Sequence, residues 1–287
     1  MNDSPRRTWK ELLAQEHPLV LPCAHDALSS RLIERAGFAA YSIGGFPLVG
    51  SRHALPDIGL VAYGEMSAGV RDIMGGSPLP VLVDGDDGYG DVKNVTRTIQ
   101  GYEAMGAAAI FIEDQRSPKR CGHMAGKDVI DPAAMVAKIR AAAAARRNPE
   151  TFLLARTDAR AVHGLDDALR RGELYLEAGA DGVFIEAPQS LDELTRIGRA
   201  FPGVPQLANM LEGGSTPLLT PRELYDLGFA MIAYPTTLIF RVTRTIEKAL
   251  ADLKAGTLHL EGEGVDFEAF KDITGFAGWA EIERHNG

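Results

Sequence analysis

The residues most able to do chemistry gather in Phe111–Lys127, read as FIEDQRSPKRCGHMAGK. Cys121 lies among Lys119, Arg120 and His123. Cationic neighbours stabilise a thiolate, so the spacing predicts a thiol pKa lowered toward neutrality, suited to moving a proton. Gly122 and Gly126 let this loop turn tightly and approach a ligand. Taken alone, such a loop is more simply read as a solvated basic segment with an incidental cysteine. The rest of the chain argues otherwise. Asp84 and Asp86, with Asp57 and Glu113, make an oxygen-only set of the kind that binds Mg2+ or Mn2+. Singly, each acid is as well explained as a helix cap. An Asp-Gly-Asp with a Glu after the next strand is harder to explain so, because carboxylates held together repel. Arg156 offers a fork for a substrate carboxylate, the plainer alternative being a pair with Glu186.

Positioning these groups requires a scaffold that brings many strand ends to one face. Eight short apolar runs recur: Leu19–Cys23, Ala39–Ile43, Pro80–Val83, Ala108–Ile112, Phe152–Ala155, Gly182–Ile185, Gln206–Ala208 and Ala230–Ala233. Helical stretches separate them, among them Ala27–Ala36, Ala62–Ile73, Val92–Ala104, Pro132–Ala145, Asp166–Ala178, Ser190–Ala200 and Pro221–Leu227, with Thr236–Lys254 last. Such alternation predicts parallel βαβ units. A repeated plan supports this: at Gly37, Gly106, Gly179 and Gly228 a helix ends at a glycine and an apolar strand follows. The expected fold is a single (β/α)8 barrel domain over 1–287, with the barrel at about 17–254 and a C-terminal helical extension at 256–287. A doubly wound sheet is the competitor, but no G-x-G-x-x-G follows the first strand. In a barrel the chemistry lies at the C-terminal strand ends. Those positions hold Gly44 and Gly45, Asp84, Glu113, Arg156-Thr-Asp158, Glu186, Asn209 and Tyr234-Pro235.

Composition narrows the function classes. With 287 residues, 45% of them hydrophobic, and a net charge of −9, the chain can bury a large core and has no basic stripe for nucleic acid. No apolar run reaches the roughly 20 residues of a membrane span. Met1–Pro18 reads as a short polar helix rather than a signal peptide. Two cysteines are too few for a disulfide framework, so reduced thiols in a cytoplasmic protein are expected. Cys23, inside the first strand, reads as a small core residue. The tail, with Phe267, Phe270, Ile273, Phe276 and Trp279, is apolar enough to need a partner surface.

The segment Lys119-Arg-Cys-Gly-His-Met-Ala-Gly-Lys127 resembles the signature loop of the isocitrate lyase/phosphoenolpyruvate mutase superfamily, and the resemblance runs from about Ala24 to Ile282. Lyase members carry the Lys-Lys/Arg-Cys-Gly-His core, whose Cys mutase members typically lack. The resemblance implies a barrel whose last helix is exchanged between subunits, and a homotetramer. It also implies Mg2+ held directly by Asp86, with Asp84, Asp57 and Glu113 acting largely through water. Asn209 to Pro217 resembles the family's segment that contacts the distal carboxylate, making Asn209, Thr216 and Pro217 substrate-binding candidates alongside Gly44, Gly45 and Arg156. Glu212, Gly213 and Gly214 are closer to the dimethylmalate lyase and petal death protein branch than to methylisocitrate lyases. Ile43 stands where the family usually has Ser, and Asp87 is an additional acid.

The groups suit reversible cleavage of a 2-hydroxy dicarboxylate, a substituted malate or 2-methylisocitrate-like compound, with oxaloacetate hydrolysis as a side activity. Cys121 is the expected acid, tuned by Lys119, Arg120 and His123, and Tyr41 the candidate base. Glu186 is expected to orient Arg156 or the loop, and closure of the loop 117–128 to exclude water. Two rivals remain: a phosphoenolpyruvate or carboxyphosphonoenolpyruvate mutase, and a non-catalytic assembly protein. The Cys121 thiol argues against the first, and the intact acids and Arg156 against the second.

Overall fold

A computed structural model of the chain describes residues 7–257 and 262–286; the rest of the expected N-terminal helix and tail lies outside the described residues. The strands are β1 (Leu19–Pro22), β2 (Tyr41–Ile43), β3 (Val81–Asp84), β4 (Ala109–Glu113), β5 (Phe152–Thr157), β6 (Gly182–Ile185), β7 (Leu207–Asn209) and β8 (Met231–Tyr234). The helices up to the middle of the chain are α1 (Trp9–Gln15), α2 (Ala27–Arg35), α3 (Gly45–His53), α4 (Tyr63–Met74), α5 (Val92–Met105) and α6 (Pro132–Ala145). The remainder are α7 (Ala159–His163), α8 (Leu165–Glu177), α9 (Leu191–Ala200), α10 (Pro221–Leu227), α11 (Thr237–Ala255), α12 (Phe267–Ile273) and α13 (Phe276–Asn286). All strand pairs are parallel. They form one sheet in the order β1-β8-β7 and another running β2 to β6. Single parallel bridges, Cys23 with Ser42 and Val183 with Gln206, join the two, so the strands succeed one another around a (β/α)8 barrel.

Local chemistry explains the alternation. Helices start at side chains that accept the first free N–H groups: Asp26 for α2, Asp131 with Pro132 for α6, Ser190 for α9, and a Thr220/Glu223 capping box for α10. Gly106 and Gly228 end α5 and α10 at φ 93° and 117°, where a side chain would be strained. Strands buried on both faces carry apolar residues in both phases. One phase faces the barrel interior, where Leu21, Leu82, Phe111, Leu154, Phe184, Leu207 and Met231 meet. The other, including Tyr41, Ile43, Val83, Ile110, Ile112 and Leu153, packs against the helices. The predicted polar N-terminal helix is instead amphipathic. Trp9 and Leu12 of α1 are fully buried in the interior cluster, and Trp9 Nε1 donates to Met231 Sδ at 3.4 Å. Sequence reading missed α3 and α7, the first because Gly45, Pro47 and Gly50 mask its helical period.

The chain forms two compact units, Met1–Leu238 and Ile239–Gly287, which part inside the stretch expected to be barrel. Taken by itself, the second unit exposes many apolar side chains, with Phe267 78% and Trp279 68% exposed, and none of the described residues of α12 and α13 is buried.

Candidate active site

The inward phase of the strands, carried one step past each apolar layer, delivers the polar groups of the site. Leu82 is followed two residues on by Asp84, Phe111 by Glu113, Leu154 by Arg156, Phe184 by Glu186, and Leu207 by Asn209. Alternate residues on a strand share a face, so these side chains converge above the barrel core. The cavity there is lined by Gly44, Gly45, Asp57, Asp84, Lys119, Cys121, His123, Arg156, Glu186 and Asn209, all expected from the sequence. Cys23, Ser42, Ile43, Phe46, Pro47 and Pro235 also line it.

Tyr41, the expected base, is not brought to this wall. It occupies the opposite phase from Ser42 and lies fully buried in the layer between strands and helices. Cys23, read from sequence as core, belongs to the wall: its sulfur accepts from the Gly44 N–H at 3.2 Å. Thr216 and Pro217 are not lining residues either, although Thr216 is buried with its hydroxyl lacking a hydrogen-bond partner. The Gly45 N–H, expected to meet substrate, donates to Asp84 Oδ2 at 2.9 Å.

Asp57, Asp84, Asp86 and Glu113 are all buried; Asp57 and Asp84 line the cavity, whereas Asp86 and Glu113 do not. Asp86 adopts φ 47°, which turns the chain after β3 and lets its N–H donate to Asp84 Oδ1 at 2.9 Å. Lys119 Nζ lies 2.7 Å from Asp57 Oδ1 and 2.5 Å from Asp86 Oδ1. Burial, reinforced by Asp86, pushes Asp84 up to about 6. Burial also raises Glu113 well above the carboxylate range, although Arg156 opposes this. Glu113 Oε1 has no hydrogen-bond partner, and the charge on Asp86 Oδ1 is met by Lys119. An unpartnered buried oxygen on Glu113, beside carboxyls that burial drives toward protonation, leaves room for more positive charge, and an all-oxygen set fits a hard divalent cation. Among the described residues no three His, Cys, Asp or Glu side chains already converge as a cage, and Lys119 bridges two of the acids instead. Asp87, the extra acid, has a structural task. It accepts from the Tyr89 N–H at 2.8 Å and lies 3.9 Å from Lys138 Nζ.

The cysteine loop is tied at its base by pairing of Gln115 with Val129 and by Arg116 N–H to Asp128 O at 2.8 Å. The Cys121 N–H donates to Asp57 O at 3.0 Å, which fixes the thiol beside the acids. Its pKa is raised, not lowered. Burial pushes the thiol up to about 11; the His123 N–H opposes this, while Asp57 and Glu186 add to it. The expectation failed because Lys119 turns away into the acids, so the loop's nearest ammonium does not serve the sulfur. A neutral thiol is nevertheless the correct state for a proton donor.

His123 stitches the loop to two other strand ends. Its Nε2 lies 3.1 Å from Glu186 Oε1, and its Nδ1 accepts from the Ser215 N–H at 3.1 Å. An accepting Nδ1 places the ring proton on Nε2, facing Glu186. Burial works against ionised Glu186, but Arg156 and the His123 hydrogen bond hold it down at about 2. Asn209 Nδ2 reaches the same oxygen at 3.3 Å. Arg156 does not pair with Glu186 as the plain alternative had it. Asp158 takes its Nε and Nη2 at 2.9 and 3.1 Å, and Glu113 Oε2 lies 3.1 Å from Nε. The guanidinium stands over the Phe184 ring at 5.3 Å. Asp158 and Lys127 were missed as site residues; the in-phase i, i+2 spacing of Arg156 and Asp158 was the available signal.

The chain matches known proteins along nearly its whole length. The family model for phosphoenolpyruvate phosphomutase matches residues 9–254. A 2,3-dimethylmalate lyase of Eubacterium barkeri is 42% identical over 279 residues, 96% of each chain. A probable 2-methylisocitrate lyase 1 of Corynebacterium glutamicum is 41% identical over 249 residues, 87% of this chain and 81% of that one. Among solved structures, a 2,3-dimethylmalate lyase described as a PEP mutase/isocitrate lyase superfamily member has a TM-score of 0.91 at 32% identity, covering 99% and 97% of the two chains. Oxaloacetate acetylhydrolase with the inhibitor 3,3-difluorooxalacetate gives 0.91 at 28% identity, covering 96% and 95%. Phosphonopyruvate hydrolase in complex with oxalate and Mg2+ gives 0.84 at 27% identity, covering 94% of each. Likeness of this extent, in sequence and in fold alike, makes the chain a member of the phosphoenolpyruvate mutase/isocitrate lyase superfamily.

Proposed function

We propose that the protein is a divalent-metal-dependent carbon–carbon lyase. It splits a substituted malate, 2,3-dimethylmalate-like or 2-methylisocitrate-like, into a 2-oxo acid and a carboxylic acid. Asp86, Asp84, Asp57 and Glu113 would hold Mg2+, with Mn2+ as a substitute. When bound, the ion neutralises charge at the substrate hydroxyl and its neighbouring carboxylate. Arg156, its Nε side taken by Asp158, presents the Nη1–Nη2 edge to a substrate carboxylate. As the bond between C2 and C3 breaks, the hydroxyl proton passes to solvent water and the carbonyl forms. The electron pair left on C3 takes a proton from Cys121 Sγ, so one proton is lost and one gained. Lys119 offsets the acids, Glu186 orients His123, and Asn209 faces the distal end of the substrate.

The observation that carries this reading is the Cys121 thiol sharing one cavity with Arg156, Asp57 and Asp84, where burial favours its protonated form. Phosphoryl migration forms no carbanion to protonate, so a mutase leaves Cys121 without a task. The likeness to oxaloacetate acetylhydrolase supports oxaloacetate hydrolysis as a second activity of the same cleft. A free working thiol suits the reducing cytoplasm. The exposed apolar tail supports a homotetramer built by exchange of C-terminal helices. The test is a screen of 2,3-dimethylmalate, 2-methylisocitrate, oxaloacetate and phosphonopyruvate with Mg2+, following 2-oxo-acid release. Release from the substituted malates is expected; turnover of phosphonopyruvate alone overturns the proposal.

A further inference from the structure

We propose that Asp158 is a positioning residue that couples the Arg156 clamp to closure of the cysteine loop, with Lys127 as the arm on the loop. This deepens the lyase reading, since it takes Arg156 as the carboxylate clamp and Cys121 as the acid.

Asp158 has no exposed surface, yet three donor atoms from two cationic side chains converge on its carboxylate. Arg156 donates from Nε at 2.9 Å and from Nη2 at 3.1 Å, and Lys127 Nζ donates at 2.8 Å. The Lys127 side chain is only 2% exposed. The same ammonium donates to the carbonyl of Gly122, the residue after Cys121. Clamp and acid are therefore linked in a short polar chain: guanidinium, carboxylate, ammonium, backbone carbonyl.

The frame around Asp158 is fixed from behind. Its N–H donates to Asp114 Oδ1 at 2.9 Å. Asp114 Oδ2 also receives Thr157 Oγ1 at 2.6 Å, Tyr175 Oη at 2.8 Å and Arg171 Nη1 at 3.1 Å. The Asp114 carbonyl accepts from the Ile130 N–H at 2.9 Å, at the returning end of the loop. Asp158 is thus the rigid member, and Lys127 the member free to leave with the loop.

Packing does not hold the loop's far side. A cavity of about 330 Å3 lies between Met124–Lys127 and Ala161, Ala187 and Gln189. A segment over a void is retained by its discrete polar anchors, so losing one shifts the closed population. The charges supply the direction. With the loop open, Asp158 keeps Arg156 to itself. A substrate carboxylate arriving on the Nη1–Nη2 edge shares the guanidinium charge with Asp158, and Lys127 restores the positive charge that Asp158 loses. Carboxylate binding and loop closure then favour each other, a reciprocal coupling.

Oxalate with Mg2+ serves as the carboxylate probe, and peptide-resolved iodoacetamide labelling of Cys121 reports closure without any assay of turnover. Saturating probe is expected to slow labelling of the unaltered protein by about 5–150-fold, the usual range for such couplings. Lys127→Met should still bind oxalate by calorimetry, but its protection should fall to less than about twofold. Lys127→Arg should restore part of the protection, and the thermal melts of both variants should match the parent, which a merely structural loss would not allow. Full protection in Lys127→Met at matched oxalate saturation overturns the coupling. Because labelling needs no lyase substrate, failure of the malate screen leaves this result readable, and the reverse holds as well.

Discussion

Replacing Cys121 by serine removes the proposed proton donor while changing little else. The structure sets the magnitude and the pH dependence together. With the thiol pushed up to about 11, only about one sulfur in a thousand is ionised at pH 8. The acid is therefore fully loaded across the neutral range, and its kcat profile stays flat to about pH 10. Had the basic loop lowered the pKa to about 7, most of the thiol would be spent at pH 8. The rate would then fall about tenfold for each further pH step. Serine occupies nearly the same volume but holds its proton far more tightly than a thiol. Loss of one well-placed acid costs about 10²–10⁴ in rate, and that range is expected for Cys121→Ser. The assay is 2-oxo-acid release from 2,3-dimethylmalate with saturating Mg2+ between pH 6.5 and 10, with oxalate affinity measured alongside to confirm an intact site. A serine variant within tenfold of the parent, or a parent profile already declining from pH 7, refutes the reasoning.

Gly122→Ala places a methyl group onto Glu186 Oε1 and the Arg156 guanidinium. The loop then cannot seat, and an error of about 1 Å at the acid costs roughly 10² in kcat; unchanged kinetics would show that the loop seats elsewhere. In the metal-free protein Asp84 keeps its proton up to about pH 6, whereas the unfolded chain loses it near pH 4. Its share of stability is therefore present below that range and declines as the pH rises through about 6. A cation needs the ionised carboxylate, so Mg2+ should raise the Tm more at pH 7.5 than at pH 5, and EDTA should abolish turnover until Mg2+ is restored. Equal Mg2+ shifts at both pH values, or turnover in excess chelator, would remove the metal assignment. Truncation after Lys254 deletes α12 and α13 with their exposed Phe267, Phe276 and Trp279. The oligomer should shrink by light scattering; an unchanged mass would assign those surfaces another task.

Sequence alone determined the parts of this protein that depend on short-range order. Strand runs, capping side chains and the glycines at 37, 106, 179 and 228 are local signals, and eight strand runs alternating with helices admit little besides a barrel. The acids, Arg156, Glu186 and Asn209 were legible because strand ends in a barrel are chemically privileged positions. What the sequence left undecided was direction. Tyr41 and Ser42 are neighbours in the chain, yet strand pleating sends one into the helical layer and the other to the cavity. Lys119 and Cys121 are two residues apart, but the ammonium is captured by Asp57 and Asp86, partners far away in sequence. Burial of the sulfur, with no offsetting ammonium once Lys119 is captured, reversed the sign of the thiol's pKa change. Asp158, Lys127 and Asp114 acquire a role only when three separate chain segments meet. A charge's effect on its neighbour is set by through-space distance and by the water removed between them, and the folded chain alone fixes both.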